Sequence, residues 1–84
     1  MFNVEYSNQS KKFLKKANKI LVKRLINKIE RIREIPISHD TKTVEASKCI
    51  YRVRVGDYRI LYEIDYKTNL IGIVKIEKRP RVYK

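Results

Sequence analysis

Three observations in this chain of 84 residues predict an α+β fold, β-α-α-β-β-β, with two antiparallel helices packed on one face of a mostly antiparallel sheet. Apolar residues recur at helical spacing between Ser7 and Pro36, they alternate from Cys49 to Ile64, and a two-residue turn, Gly56-Asp57, divides that alternating stretch. Helices segregated from a run of hairpin-linked strands argue for two layers, with the second sheet face left open.

Phe2, Val4 and Tyr6 alternate with Asn3 and Glu5, the pattern of a short, half-buried first strand. Ser7 is the expected N-cap of a first helix with Phe13, Leu14 and Ala17 as its apolar stripe, and Asn18 interrupts it or caps a second. In the second helix Val22, Leu25, Ile26, Ile29 and Ile32 follow the i, i+3, i+4, i+7 pattern, while Lys23, Arg24, Lys28, Arg31 and Arg33 fill most of the outer face. Pro36 ends it. Residues 37–47 are polar and β-poor, a connecting loop expected to pair only briefly near Thr43 to Glu45. The hairpin follows, then a turn over Asp65 to Asn69, a last strand over Leu70 to Glu77, and a basic tail from Lys78 to Lys84. Residues 1–84 read as one domain of modest stability, without repeats or linkers.

Lys and Arg number 21 against 9 Asp and Glu, a net charge of +12 that attracts any polyanion. Nucleic acid is the default partner, held through its phosphates without sequence readout. The single Cys49 cannot form an internal disulfide, and it is expected as a small core or edge residue in a reducing, cytoplasmic setting. The N-terminus lacks the apolar segment of a signal peptide, and no run approaches the roughly 18 apolar residues of a membrane span. Neither export nor a membrane partner is expected. Gly56 and Gly72 are too few for a phosphate-cradling loop, and no Cys/His cluster has metal-ligand spacing, so no cofactor and no metal are expected. His39, the only histidine, lies in the loop beside Asp40 and reads as solvated.

The hairpin C-I-Y-R-V-R-V-G-D-Y-R-I-L-Y-E-I carries the functional signal. Gly in the first central position of the turn suits a type II′ hairpin, which sets Val55 opposite Tyr58, Val53 opposite Ile60 and Tyr51 opposite Tyr62 on one apolar face. That face should meet the core. On the other face Arg54 lies across from Arg59, and Arg52 across from Leu61. Like charges opposed across a ladder are destabilising, so an anion is expected to offset the cost unless the side chains splay into water.

This layout, with Y-R-V-R-V-G-D-Y-R-I-L-Y-E-I followed by I-V-K-I-E-K-R-P-R-V-Y, resembles the RelE/ParE toxins of type II toxin–antitoxin systems, most of all RelE. The resemblance covers essentially the whole chain and is strongest in the hairpin and the terminal K-R-P-R-V-Y. It implies a fold like that of small microbial ribonucleases, cleavage of messenger RNA in the ribosomal A site, and no metal. The family's basic positions on the first hairpin strand fall on Arg52 and Arg54, its second-strand arginine on Arg59, its last-strand arginine on Arg79, and its terminal tyrosine on Tyr83, after Arg81. The resemblance thus implies catalytic roles for Arg59, Arg79 and Tyr83, and RNA or ribosome contacts for Arg52, Arg54, Arg81, Lys48 and Lys78. Two departures stand out. Glu45 occupies a loop place that is often basic in the family, where Lys42 or Lys48 would have to substitute, and the chain stops one residue after Tyr83 where many relatives continue into a helix. The tail is therefore expected to fray unless RNA or a partner orders it.

RNA supplies its own 2′-hydroxyl nucleophile, so a metal-free ribonuclease must orient it, accept its proton, stabilise the transition state and protonate the leaving oxygen. Arg59 and Arg79 suit charge stabilisation, because a guanidinium offers paired N–H donors to phosphate oxygens. Tyr83 either serves as a base, with Arg79 and Arg81 favouring its phenolate, or stacks on a nucleobase, or closes the core edge. Arginine is a poor general acid, which fits an enzyme whose substrate geometry is supplied by the ribosome. Two other readings stay open: a ParE-like inhibitor of DNA gyrase, and a non-enzymatic RNA-binding module. The resemblance also implies a cognate RelB-like antitoxin protein; an acidic segment in it would suit the positive surface, and that segment is expected to cover the basic face or displace the tail.

Overall fold

Side-chain caps start both helices where serine and asparagine predict. The Ser7 side chain accepts from the Ser10 backbone N–H at 3.1 Å to open α1, Asn8–Lys16, and Asn18 Oδ1 accepts from the Leu21 N–H at 2.8 Å to open α2, Lys19–Glu34. α2 gives way to extended backbone at Ile35, ahead of Pro36, as the residue preceding a proline is pushed out of the helical region. The computed structural model describes residues 1–44 and 49–80.

Among the described residues five strands form one sheet: β1 Asn3–Tyr6, β2 Lys42–Thr43, β3 Ile50–Val55, β4 Tyr58–Asp65 and β5 Leu70–Lys78, in the order β1-β5-β4-β3-β2. Only β1 runs parallel to its neighbour, β5. The loop's brief pairing sets Lys42 and Thr43 opposite Arg52 and Tyr51, with the Val44 N–H donating to the Ile50 carbonyl at 3.0 Å; it begins one residue before the expected Thr43 to Glu45, and Glu45 lies outside the described residues. The β3–β4 register is the one the turn predicts: Val55 opposite Tyr58, Arg54 opposite Arg59, Arg52 opposite Leu61 and Tyr51 opposite Tyr62. Gly56 has φ +59° while Asp57 stays out of the left-handed region, as a type II′ turn requires.

The core lies between the helices and one sheet face, where Leu21, Leu25, Ile29 and Ile32 of α2 meet Val53, Ile60, Tyr62, Ile71, Ile73 and Ile76. Leu21 takes the buried place and Val22 is half-buried, a small rotation of the expected stripe. Phe13 of α1 packs edge-on against Tyr58, with ring centroids 5.6 Å apart. Burial raises the Tyr62 hydroxyl's pKa, and that hydroxyl donates to the Pro36 carbonyl at 2.6 Å. Cys49 is exposed rather than part of the core, because β3 begins only at Ile50 and the alternation that turns Tyr51, Val53 and Val55 inward does not reach it.

β5 carries a bulge that decides what the open face displays. Tyr62 pairs with Ile73 but Leu61 pairs with Lys75, which leaves Val74 extra and reverses the alternation. Ile71, Ile73 and Ile76 therefore all point into the core, while Lys75 and Glu77 turn outward. Past the end of β1 the first turn of α1 takes over the exposed edge of β5. Ser7 Oγ donates to the Val74 carbonyl at 2.7 Å, and the Gln9 amide pairs with the Ile76 backbone in both directions, donating to its carbonyl at 2.8 Å and accepting from its N–H at 3.0 Å.

Candidate nucleic-acid interface

The face turned away from the helices is charged in bands that run across the strands. One band crosses Lys42, Arg52, Leu61 and Lys75, and the next, nearer the hairpin turn, crosses Arg54, Arg59 and Glu77. At the opposite end Glu5 and Glu63 flank Gly72, so the face is basic beside the Gly56-Asp57 turn and acidic away from it. Five cations around one carboxylate would hold together poorly in water alone, and a polyanion laid across these bands would relieve their repulsion.

Arg52 and Arg54 are exposed, whereas Arg59 is already engaged. Its Nε and Nη2 both reach Glu77 Oε2, and Lys75 Nζ lies 3.1 Å from Glu77 Oε1. Burial by itself raises the Glu77 carboxyl, but the hydrogen bonds from Arg59 and Lys75 outweigh it and hold the group below its ordinary value. Glu77 is thus a carboxylate at neutral pH, and it supplies part of the anion that the Arg54–Arg59 opposition demanded.

Arg79 follows β5, and its backbone N–H donates to the Asp57 carbonyl at 2.7 Å. That bond fixes the arginine's backbone beside the hairpin turn, at the basic end of the face. Lys78 is exposed opposite Tyr58. Arg52, Arg54, Arg59 and the Arg79 backbone are therefore brought to one end of the sheet, while Lys48, Arg81 and Tyr83 lie outside the described residues. Between α2 and the hairpin turn, Arg24, Lys28, Glu30, Arg31 and Arg54 line a cleft against Gly56. His39 is exposed, as a solvated loop histidine should be.

Glu77 and Lys75 join the candidate face although strict alternation from Ile71 and Ile73 would turn them inward. The two-then-three spacing of Ile71, Ile73 and Ile76 was the available signal of a bulge. Among the described residues no group of histidine, cysteine, aspartate and glutamate side chains could hold a metal ion, and no helix is long and apolar enough to cross a membrane.

Among the described residues, two helices on a five-stranded, mostly antiparallel sheet give this chain the fold of the RelE toxins. The isolated RelE toxin of E. coli superposes with a TM-score of 0.85 at 14% identity, over 98% of this chain and 88% of that one. RelE from the RelE–RelB complex of Pyrococcus horikoshii OT3 gives a TM-score of 0.83 at 27% identity, over 96% of this chain and 98% of its own. In sequence the chain is 34% identical over 86 residues to the RelE1 protein of Methanocaldococcus jannaschii, covering 99% of this chain and 96% of the relative. The family model for the ParE toxin of the type II toxin–antitoxin system parDE matches residues 4–83. The chain belongs to this toxin family, within the RelE/ParE superfamily.

Proposed function

We propose that this RelE-like toxin is a ribosome-dependent messenger RNA endoribonuclease that cuts in the ribosomal A site and so inhibits translation. The single observation that carries the reading is the convergence of Arg52, Arg54 and Arg59 on the open face, with the Arg79 backbone tied to the turn that joins their strands. In this reading Arg59 and Arg79 neutralise the charge that builds on the scissile phosphate, and Arg52 and Arg54 hold the flanking backbone. Tyr83 is the proposed partner for the 2′-hydroxyl or a base-stacking platform, with Arg81, Lys78 and Lys48 contributing RNA or ribosomal contacts. The reaction is metal-independent: the 2′-oxygen attacks the phosphorus in line, the P–O5′ bond breaks, and a proton passes to the departing 5′-oxygen.

The chain's partners are then the ribosome with its message and a cognate RelB-like antitoxin in the cytoplasm. The RelE–RelB complex of P. horikoshii supports the antitoxin by likeness, and the +12 charge suits an acidic antitoxin segment. One observation favours a second reading. The matching family model is that of ParE, so inhibition of DNA gyrase is the alternative target. The two part in one experiment, in which purified protein is added to a translating extract and, separately, to gyrase with relaxed plasmid. Fragmentation of the translated message with supercoiling untouched is expected, and blocked supercoiling with intact message would favour the gyrase reading.

A further inference from the structure

Resting on the reading of the open face as an RNA surface, we infer that Glu77 is a positioning residue. It grips the Nε side of Arg59 and thereby leaves the guanidinium's Nη1/Nη2 end for the phosphodiester. Arg59 and Glu77 are directly paired across β4 and β5, with side chains 24% and 22% exposed, so the contact is fixed by strand register rather than by chance encounter of surface chains. Glu77 Oε2 takes both the Nε and the Nη2 contact of Arg59, and Oε1 is occupied by Lys75. The carboxylate is therefore tethered from two sides and cannot rotate away without losing both.

A guanidinium has five N–H donors in a rigid fork, and one edge can bind a carboxylate while the end binds a second oxyanion. Two consequences follow from holding Arg59 by its Nε edge. The end edge is aimed before substrate arrives, which lowers the ordering cost of gripping a phosphate. The single negative charge among Lys42, Arg52, Arg54, Arg59 and Lys75 also trims the general attraction of this face for polyanions. Removing it should strengthen binding and weaken precision, two effects of opposite sign that a merely stabilising contact would not produce.

The test uses the full chain and a 2′-O-methyl oligoribonucleotide, which binds but cannot be cut. In wild type the Arg59 Nε–H resonance should stay protected from solvent exchange through saturation with the oligonucleotide. Glu77→Gln should lose that protection, bind about threefold tighter, and show a log–log salt slope steeper by about one phosphate contact. Glu63→Gln, the same charge change at the acidic end of the same face, should move binding less. Cleavage of ribosome-bound message by Glu77→Gln should fall about tenfold despite the tighter binding. Release of the Arg59 Nε–H when RNA binds would overturn the inference, because Glu77 would then compete with the phosphate. Equal effects of the Glu77 and Glu63 variants on binding, or a lowered melting temperature with unchanged salt slope, would overturn it as well. Failure of the wild type to bind at low salt would overturn the RNA reading together with this one, whereas binding without ribosomal cleavage would count against the nuclease reading and leave the resonance and salt slope to decide here.

Discussion

Replacing Gln9 with alanine should loosen the strand that carries Glu77 and leads to Arg79, although Gln9 is itself exposed and outside the basic face. The Gln9 amide substitutes for a neighbouring strand at Ile76, giving one bond of 2.8 Å to its carbonyl and one of 3.0 Å from its N–H. Each such bond is worth about 1 kcal/mol net, and both backbone groups flank a fully buried side chain, so the loss should total about 2 kcal/mol. For a chain of this size that is a fall of about 8–16 °C in Tm. Thermal unfolding by circular dichroism measures the total, and amide hydrogen exchange locates it, with Ile76 expected to lose protection before Ile60 on the neighbouring strand. Gln9→Glu should recover only the acceptor half at neutral pH, since a carboxylate faces the Ile76 carbonyl without a proton to donate. A Tm unchanged within 2 °C (a change of roughly half a kcal/mol or less), or Ile76 exchange identical to wild type, would refute the argument that α1 completes this edge of the sheet.

Gly56→Ala should cost about 1–2 kcal/mol, read as a lower urea midpoint, because φ there is +59° and the new Cβ would meet the Arg24 guanidinium at 3.0 Å. Tyr62→Phe should cost about 1.5 kcal/mol by the same assay, since it strips the Pro36 carbonyl of its 2.6 Å hydrogen bond without opening a cavity. Hydrogen bonds from Lys28 and then Ser38 lower the Asp40 carboxyl from 3.8 to about 2. Its folded value lies below its unfolded one, so its contribution is complete above about pH 4 and is lost as pH falls through 2. Solvent screening holds that contribution to about 0.5 kcal/mol, and Asp40→Asn should flatten the acid limb of Tm against pH in that window. Arg59→Lys should retain RNA binding within about threefold while cleavage falls at least tenfold, because an ammonium cannot bridge Glu77 and a phosphate with one planar fork.

The hairpin was legible in the sequence because a glycine at the first turn position leaves one register that turns Tyr51, Val53 and Val55 toward the core together. Both helix starts were legible for a similar reason, as Ser7 and Asn18 each stand immediately before an apolar stripe. The parallel placement of β1 beside β5 was not, because pairing between strands 67 residues apart leaves no local pattern. β2 begins one residue before the expected pairing, since two residues carry too little alternation to fix a register. On the open face, the placement of Arg52, Arg54 and Arg59 followed from alternation and the turn, while that of Glu77 was hidden by a bulge that only the spacing of three isoleucines announces.

In the proposed reaction the arginines at the hairpin end act on a scissile phosphate held by the ribosome. That role is tested most directly by single-turnover cleavage of a defined message on programmed ribosomes, mapped by primer extension, for wild type, Arg59→Ala and Arg79→Ala. Wild type should cut only within the A-site codon, and each variant should lose about a hundredfold or more in rate at saturating protein. Cleavage at wild-type rates by both variants, or cuts scattered along ribosome-free message, would contradict it.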